Sequence, residues 1–272
     1  MILGIDIGGT KIKYGYFDGE TLIKSGEVNS DAKLGAEKLL QNIFALLDGF
    51  KFDVLGVSTA GVVGEDGSIV YANDNIPNYT GVQLKQILSS KYGAKTAVLN
   101  DIDAGAIGQY LQTKDDDFYF IALGTGVGGA FVKDGKIIKG AGAFGGQIGY
   151  LPSKNGGIVD EVVSTRGLEK IAGISGKELF SLAKQGDKSA QTSLDVWLDG
   201  VVDLIKTIVG FFSPKKVVLG GGISEQGDYL ISLINKKIQD FPMPYNGSFT
   251  IETAKVGNLS AVTGSIYVAQ RG

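Results

Sequence analysis

The stretch YFDGETLIKSG (Tyr16–Gly26) returns in altered form as FVKDGKIIKG (Phe131–Gly140). Each reads as a strand, an Asp-Gly turn and a second strand that ends at glycine. Each also follows a strand that runs into a turn of glycine and threonine, GGT at Gly8–Thr10 and GTG at Gly124–Gly126. Asp-Gly is a strong hairpin signal by itself, so two unrelated hairpins are the alternative. The shared order of parts points to an internal duplication, with two α/β lobes that each open on the same β-meander.

The patterning between the meanders fits that plan. Strands are predicted at Ile2–Ile7, through Ile12, Tyr14 and Tyr16, and at Thr21–Val28. Leu39, Leu40, Ile43, Leu46, Leu47 and Phe50 recur at helical spacing, Val54–Ser58 reads as a buried strand, and a helix is predicted through Val82–Tyr92. A strand at Thr96–Leu99 and a helix at Ala104–Leu111 complete the first half. After the polar run Lys114–Asp117 the pattern restarts with strands at Phe118–Leu123, Ala130–Val132 and Lys136–Lys139. Helices follow at Ser164–Ala172, Gly176–Lys184 and Asp187–Phe212, then the strand Lys216–Leu219 and the helix Asp228–Gln239. The strand Phe249–Ala254 and the helix Ala261–Ala269 come last. The expected division is an N-terminal lobe over 1–112 and a C-terminal lobe over 113–260, with the helix within 260–272 packing back on the first lobe.

Composition limits the chemistry. The 272 residues include no cysteine and no histidine, which excludes disulfides, thiolate catalysis, a Ser-His-Asp triad and the usual zinc ligands. The net charge of -3 comes with no basic run, so no nucleic-acid partner is expected. No apolar run reaches the ~20 residues a bilayer requires and no leader pattern precedes the first strand, so no membrane partner is expected and the location predicted is cytoplasmic. What remains is carboxylates, hydroxyls, lysine, arginine, backbone amides and an oxygen-loving cation such as Mg²⁺.

The glycines narrow it further. LGTGVGGAF (Leu123–Phe131) contains the spacing Gly124-x-Gly126-x-x-Gly129 of a dinucleotide fingerprint. That fingerprint must open a helix and be followed ~20 residues later by an acidic residue that takes the ribose. Here it leads into a strand and a hairpin, so NAD is not the ligand. A tight glycine turn between strands can still expose several N–H groups to phosphate oxygens. Either turn alone could be a plain hairpin turn. Two equivalent turns, DIGGTK and LGTGVGG, imply a nucleoside triphosphate held in a cleft between the lobes.

These residues carry a family resemblance. GIDIGGTKIKYG (Gly4–Gly15), LNDIDAGAIG (Leu99–Gly108), LGTGVGGAFVKDGKIIKGAGAFGGQIGY (Leu123–Tyr150), VVLGGGIS (Val217–Ser224) and AKVGNLSAVTGSIYVA (Ala254–Ala269) occur in the order found in the ROK family of sugar kinases and repressors. The match spans nearly the whole chain. It implies the actin-like ATPase fold, with two duplicated ribonuclease-H-like lobes. The repressors of that family carry an N-terminal helix-turn-helix module; Met1 stands directly before the first strand here, so the kinase branch is expected.

The resemblance assigns roles residue by residue. Asp101 matches the catalytic base, with a helix N-cap as its structural alternative. Asn100 and Asn75 match sugar ligands, and Asn78, Ser58 and Gly61 lie in stretches that border the same site. Asp6 matches the carboxylate that holds Mg²⁺ through water. Gly8, Gly9, Thr10 and Lys11 correspond to the first phosphate loop, and Gly124, Thr125 and Gly126 to the second. Gly220, Gly221 and Gly222 match the segment against which adenosine packs. The implied ligands are ATP, Mg²⁺ and a small-molecule sugar, and the implied assembly is a homodimer.

Three positions depart from the pattern. Where many members read Glu-x-Gly-His, this chain has Gln147 and Tyr150, and the zinc segment that follows in those members has no ligands here, so no zinc is expected. Spacing to Ser164 puts Asp160 at a further sugar-binding glutamate. The resulting expectation is a kinase that transfers the γ-phosphoryl of Mg-ATP to a hexose hydroxyl, with Gln147, Tyr150 and Asp160 as sugar ligands. A sugar- or nucleotide-responsive binding protein with little catalysis is the alternative. An acyl-phosphate kinase would want a basic pocket, and the only arginines are Arg166 and Arg271.

Overall fold

A computed structural model describes residues 1–154, 156–239 and 248–272. The chain divides into two compact units, Met1–Lys114 with Lys139–Phe144 and Val256–Gly272, and Asp115–Ile138 with Gly145–Lys255.

The first unit is built on strands β1 (Ile2–Ile7), β2 (Lys11–Asp18), β3 (Thr21–Asn29), β4 (Val54–Thr59) and β7 (Lys95–Asn100), in the order β3-β2-β1-β4-β7. The meander β1–β2–β3 is antiparallel, whereas β1, β4 and β7 run parallel. A separate ribbon pairs β5 (Val62–Val63) with β6 (Ile69–Tyr71). Three helices follow the order of the chain: α1 (Ala36–Leu47), α2 (Leu84–Tyr92) and α3 (Asp101–Thr113). Alternation sorts the strand side chains by face. Leu3, Ile5 and Ile7 of β1 and Leu55 and Val57 of β4 join Leu39, Ile43 and Leu47 of α1 and Leu84 and Leu88 of α2 in one buried cluster.

The second unit repeats the plan. Strands β8 (Asp117–Leu123), β9 (Val127–Lys133), β10 (Lys136–Ile137), β11 (Lys216–Gly220) and β12 (Thr250–Thr253) lie in the order β10-β9-β8-β11-β12. Again an antiparallel meander meets two parallel strands. Its helices are α4 (Val159–Val163), α5 (Thr165–Ala172), α6 (Gly176–Lys184), α7 (Lys188–Phe212) and α8 (Asp228–Gln239). Tyr119, Ile121 and Leu123 of β8 pack with Val217 and Leu219 of β11 and with Trp197, Val201, Ile205 and Ile208 of α7. Trp197 is fully buried and donates its indole N–H to the Val163 carbonyl at 3.0 Å.

The final helix, α9 (Ser260–Arg271), belongs to the first unit. It covers the face of β1 opposite α1, where Ile2 packs with Val262 and Ile266. Two glycines bring it into backbone contact. A Cβ on Gly56 of β4 would stand 2.3 Å from the Ile266 nitrogen, and one on Gly264 would stand 1.9 Å from the Ala104 carbonyl oxygen of α3.

The predicted strand Lys136–Lys139 is shorter than expected, because Lys139 leaves the hairpin and its ammonium pairs with Asp103 at 2.5 Å in the first unit. Helix α3 starts at Asp101, ahead of the Ala104 expected from apolar spacing, because Asn100 caps it. The ribbon β5–β6 and the five-residue α4 are too short to produce a readable period, and neither is among the predicted elements.

Replacing a mid-helix glycine by alanine ordinarily stabilises a helix by about 1 kcal/mol. At Gly264 the sign reverses, because the new methyl would meet a backbone carbonyl that has no rotamer to change. Gly264→Ala is expected to lower stability by about 2 kcal/mol or more, read from the shift of the urea midpoint at unchanged m-value.

Candidate functional site

In the first unit the parallel pairing sets Asp6 beside Ser58 and Thr59 beside Asn100, so three strands present these residues at or near their C-terminal ends. This is the edge at which α/β sheets bind ligands. Ser58 is fully buried and donates its hydroxyl to Asp6 Oδ1 at 2.6 Å. Asn100 is the N-cap of α3, and its Oδ1 accepts from the Ile102 and Asp103 N–H groups at 3.0 and 3.4 Å. Its Nδ2 donates to the Gly61 carbonyl at 2.8 Å and to Asp101 Oδ1 at 2.9 Å. Both amide hydrogens of Asn100 are therefore spent within the protein. The structure gives Asn100 the task of holding Asp101.

Asp101 is the first residue of α3 and not its cap. Its Oδ1 takes the Asn100 bond and a second from the Ile102 N–H at 2.9 Å, and its Oδ2 makes no hydrogen bond with the described residues. A helix N-terminus favours a carboxylate anion. Burial outweighs that here: the Asp101 carboxyl is pushed up to about 6, by desolvation first, then by the charge of Asp6 and to a lesser degree that of Asp103, against the Ile102 N–H. Burial also raises Asp6, against the Ser58 hydroxyl and the charge of Lys13. Asp103, 3% exposed, is raised by burial in turn, and its partner Lys139 opposes the rise.

The turn Gly8–Lys11 joins β1 to β2. The Gly8 N–H donates to the Lys11 carbonyl at 2.9 Å, whereas Gly9 and Thr10 are exposed and their N–H groups have no partner among the described residues. Lys11 is exposed and pairs with Glu27 at 3.5 Å. Asn75 and Asn78 are exposed on the loop that follows β6, with Asn75 donating its N–H to Asn73 Oδ1 at 3.2 Å.

In the second unit, Gly124, Thr125 and Gly126 form the turn from β8 to β9, and Thr125 is exposed. Gly220 ends β11 opposite Ala122, and Gly221 lies so close to β8 that a Cβ would stand 2.3 Å from the Leu123 carbonyl oxygen. Its φ of 83° also demands glycine. Gly222 opens a 3-10 helix over Gly222–Gln226. The turn and the triple glycine thus occupy neighbouring strand ends. Gln147 is half-buried and precedes a 3-10 helix over Ile148–Tyr150. Tyr150 is 52% exposed, which rules out a core role for its ring. Asp160 accepts from the Val127 N–H at 2.6 Å and pairs with Arg166 at 2.8 Å.

Sequence reading missed the Lys139–Asp103 pair, the Arg166–Asp160 pair and the bond from Ser58 to Asp6. None has a fixed spacing from which it could be read. For a hydrated Mg²⁺, Asp6 suits the donor set: its Oδ2 has no hydrogen bond among the described residues, and no group of three or more acidic side chains that could cage a bare cation occurs among them.

The sequence model of the ROK family matches residues 2–272. An uncharacterised protein of Clostridium perfringens is 31% identical, over 97% of this chain and 95% of its own length. The N-acetylmannosamine kinase of Haemophilus influenzae is 27% identical, over 97% and 94%. The structure of a ROK family glucokinase from Streptomyces griseus in complex with glucose and AMPPNP superposes with a TM-score of 0.81 at 23% identity, covering all of this chain and 99% of that one. The fold is therefore the actin-like ATPase fold of the ROK sugar kinases.

The raised carboxyl of Asp101 has two measurable consequences. If it is the base, kcat/KM falls tenfold per pH unit below an apparent pKa near 6, while kcat/KM is flat above it. Because the folded protein holds this proton more tightly than the unfolded chain does, the charged form costs stability above pH 6 and the cost vanishes as pH falls toward 4. Asp101→Asn is expected to stabilise the protein by about 3 kcal/mol at pH 8 and by well under about 1 kcal/mol at pH 4, measured by denaturant titration at each pH.

Proposed function

Because this chain belongs to the ROK family, we propose that it is an ATP-dependent kinase that transfers the γ-phosphoryl group to a hydroxyl of a hexose or related sugar. The observation that carries this reading is the state of Asp101. One oxygen is fixed by Asn100 and the Ile102 N–H, the other is open, and the carboxyl titrates near 6, within reach of the operating pH. Two of the relatives named above are an N-acetylmannosamine kinase and a glucokinase, which supports a hexose as the substrate class.

Asp101 Oδ2 accepts the proton of the sugar hydroxyl as the hydroxyl oxygen forms its bond to the γ-phosphorus. The bond from that phosphorus to the β–γ bridging oxygen breaks, and ADP leaves with the electron pair. Such a transfer depends mainly on positioning and on neutralising charge. The turn of Gly8, Gly9, Thr10 and Lys11 and the turn of Gly124, Thr125 and Gly126 supply N–H donors and threonine hydroxyls for phosphate oxygens, and Lys11 adds a positive charge. Gly220, Gly221 and Gly222 give adenosine a surface free of side chains. Asp6 would hold Mg²⁺, which would neutralise phosphate charge. Asn75, Gln147 and Tyr150 are sugar ligands; Gln147 offers both a donor and an acceptor where a carboxylate would only accept. The enzyme is a cytoplasmic homodimer in this reading.

The first test records ADP release with Mg-ATP and a panel of glucose, mannose, fructose, allose, N-acetylated hexosamines and β-linked disaccharides. Release that depends on one sugar is expected, and Asp101→Asn is expected to lower kcat by 10²- to 10⁴-fold while sugar binding persists. If no sugar raises release above the control, the kinase reading is wrong.

A further inference from the structure

The turn between β8 and β9 is held at both ends by the region that follows it in the second unit. The Gly124 carbonyl accepts the Thr165 N–H at 2.8 Å, at the start of α5. The Val127 N–H donates to Asp160 Oδ1, from α4, at 2.6 Å. The other Asp160 oxygen pairs with Arg166 at 2.8 Å. Gly126 lies directly against the same carboxylate, since a Cβ there would stand 2.8 Å from Asp160 Oδ1. Both oxygens of Asp160 are therefore engaged by the turn and by its own counter-ion. The Asp160 side chain retains only 22% of its exposure, whereas Arg166 retains 70%.

We propose that Asp160, with Arg166 as its counter-ion, is a positioning residue for the Gly124–Val127 phosphate turn and not a sugar ligand. Glycine loses more conformational freedom on ordering than any other residue, and this turn contains two glycines within three residues. A turn that had to be ordered by the nucleotide would lose that freedom at the expense of affinity. The charge-assisted bond from Val127 orders it beforehand and turns that N–H away from the phosphates, leaving Thr125 and its neighbours to meet them. A bare carboxylate at this spot would repel phosphate. Arg166 supplies the compensating charge, which explains why one of the two arginines of the chain is placed here.

This inference rests on the kinase reading, and the test separates the two. Binding of Mg-AMPPNP is measured by titration calorimetry, without turnover, for the wild type, Asp160→Ala, Asp160→Asn and Arg166→Met. Exchange of the Val127 amide hydrogen and the KM of the sugar found in the panel are measured alongside. Asp160→Ala is expected to weaken nucleotide binding about tenfold, to speed Val127 exchange, and to leave the sugar KM within about twofold. Asp160→Asn, which keeps an acceptor for Val127, is expected to fall between Asp160→Ala and the wild type. Arg166→Met weakens nucleotide binding too, and the double variant Asp160→Ala/Arg166→Met is no worse than Asp160→Ala alone, because the charge to be compensated is gone. Should Asp160→Ala fail to fold, Arg166→Met and Asp160→Asn decide the matter by the same readouts. Unchanged nucleotide affinity, or a sugar KM raised tenfold at constant nucleotide affinity, overturns the inference. A wild type that binds no nucleotide overturns the kinase reading instead.

Discussion

The parallel pairing of β1 with β4 and of β4 with β7 is the constraint on which the first unit depends. It sets Asp6, Ser58 and Asn100 at one edge of the sheet although they come from three distant parts of the chain. A slip of one residue would send Leu3, Ile5 and Ile7 to the wrong face, so the buried cluster beneath α1 and α2 enforces the register. The site inherits its geometry from that core. In the second unit the same arrangement places the Gly124–Gly126 turn next to Gly220 and Gly221, where the absence of side chains lets the two strand ends approach.

Within this frame the acidic residues meet different fates. Asp103 and Asp160 each have a cation, Lys139 and Arg166, and both pairs serve to hold structure. Asp101 and Asp6 have no such ion pair: hydrogen bonds orient them, burial raises both, and the charge of Asp6 raises Asp101 further. A carboxylate paired with lysine makes a poor base, since the cation holds its proton affinity down. The unit places Lys139 on Asp103 and not on Asp101, so the cation opposes the rise of Asp103 and leaves Asp101 raised.

Much of this organisation could be read from the chain. The two meanders, with their Asp-Gly turns, reported the duplication because strand alternation and hairpin chemistry are local properties. The positions of the glycine turns and of Asp101 at strand ends were legible for the same reason, each carrying a short sequence signature. What escaped were contacts between residues far apart in sequence. The bond from Ser58 to Asp6 spans 52 residues and the bond from Val127 to Asp160 spans 33. The resemblance assigned Asn100 and Asp160 to the sugar; it carried no sign that Asn100 also caps α3 or that Asp160 also accepts the Val127 N–H. A residue type tells what a side chain can bond to, and only the fold tells what it has already bonded to.

The seat of α9 has a consequence for how the protein is made. The helix that bears Asp101 rests on Gly264, so the first unit is completed by a segment that follows nearly the whole second unit in the chain. During synthesis a ribosome must deliver α4 to α8 before α9 appears, and until then the Gly4 and Gly56 face of the first sheet lies bare. The second unit, drawn almost entirely from one contiguous stretch, is free to fold ahead of it, and the long-range closure by α9 comes last. A nascent chain therefore carries a second unit whose residues are all available before α3 has the Gly264 surface on which it rests.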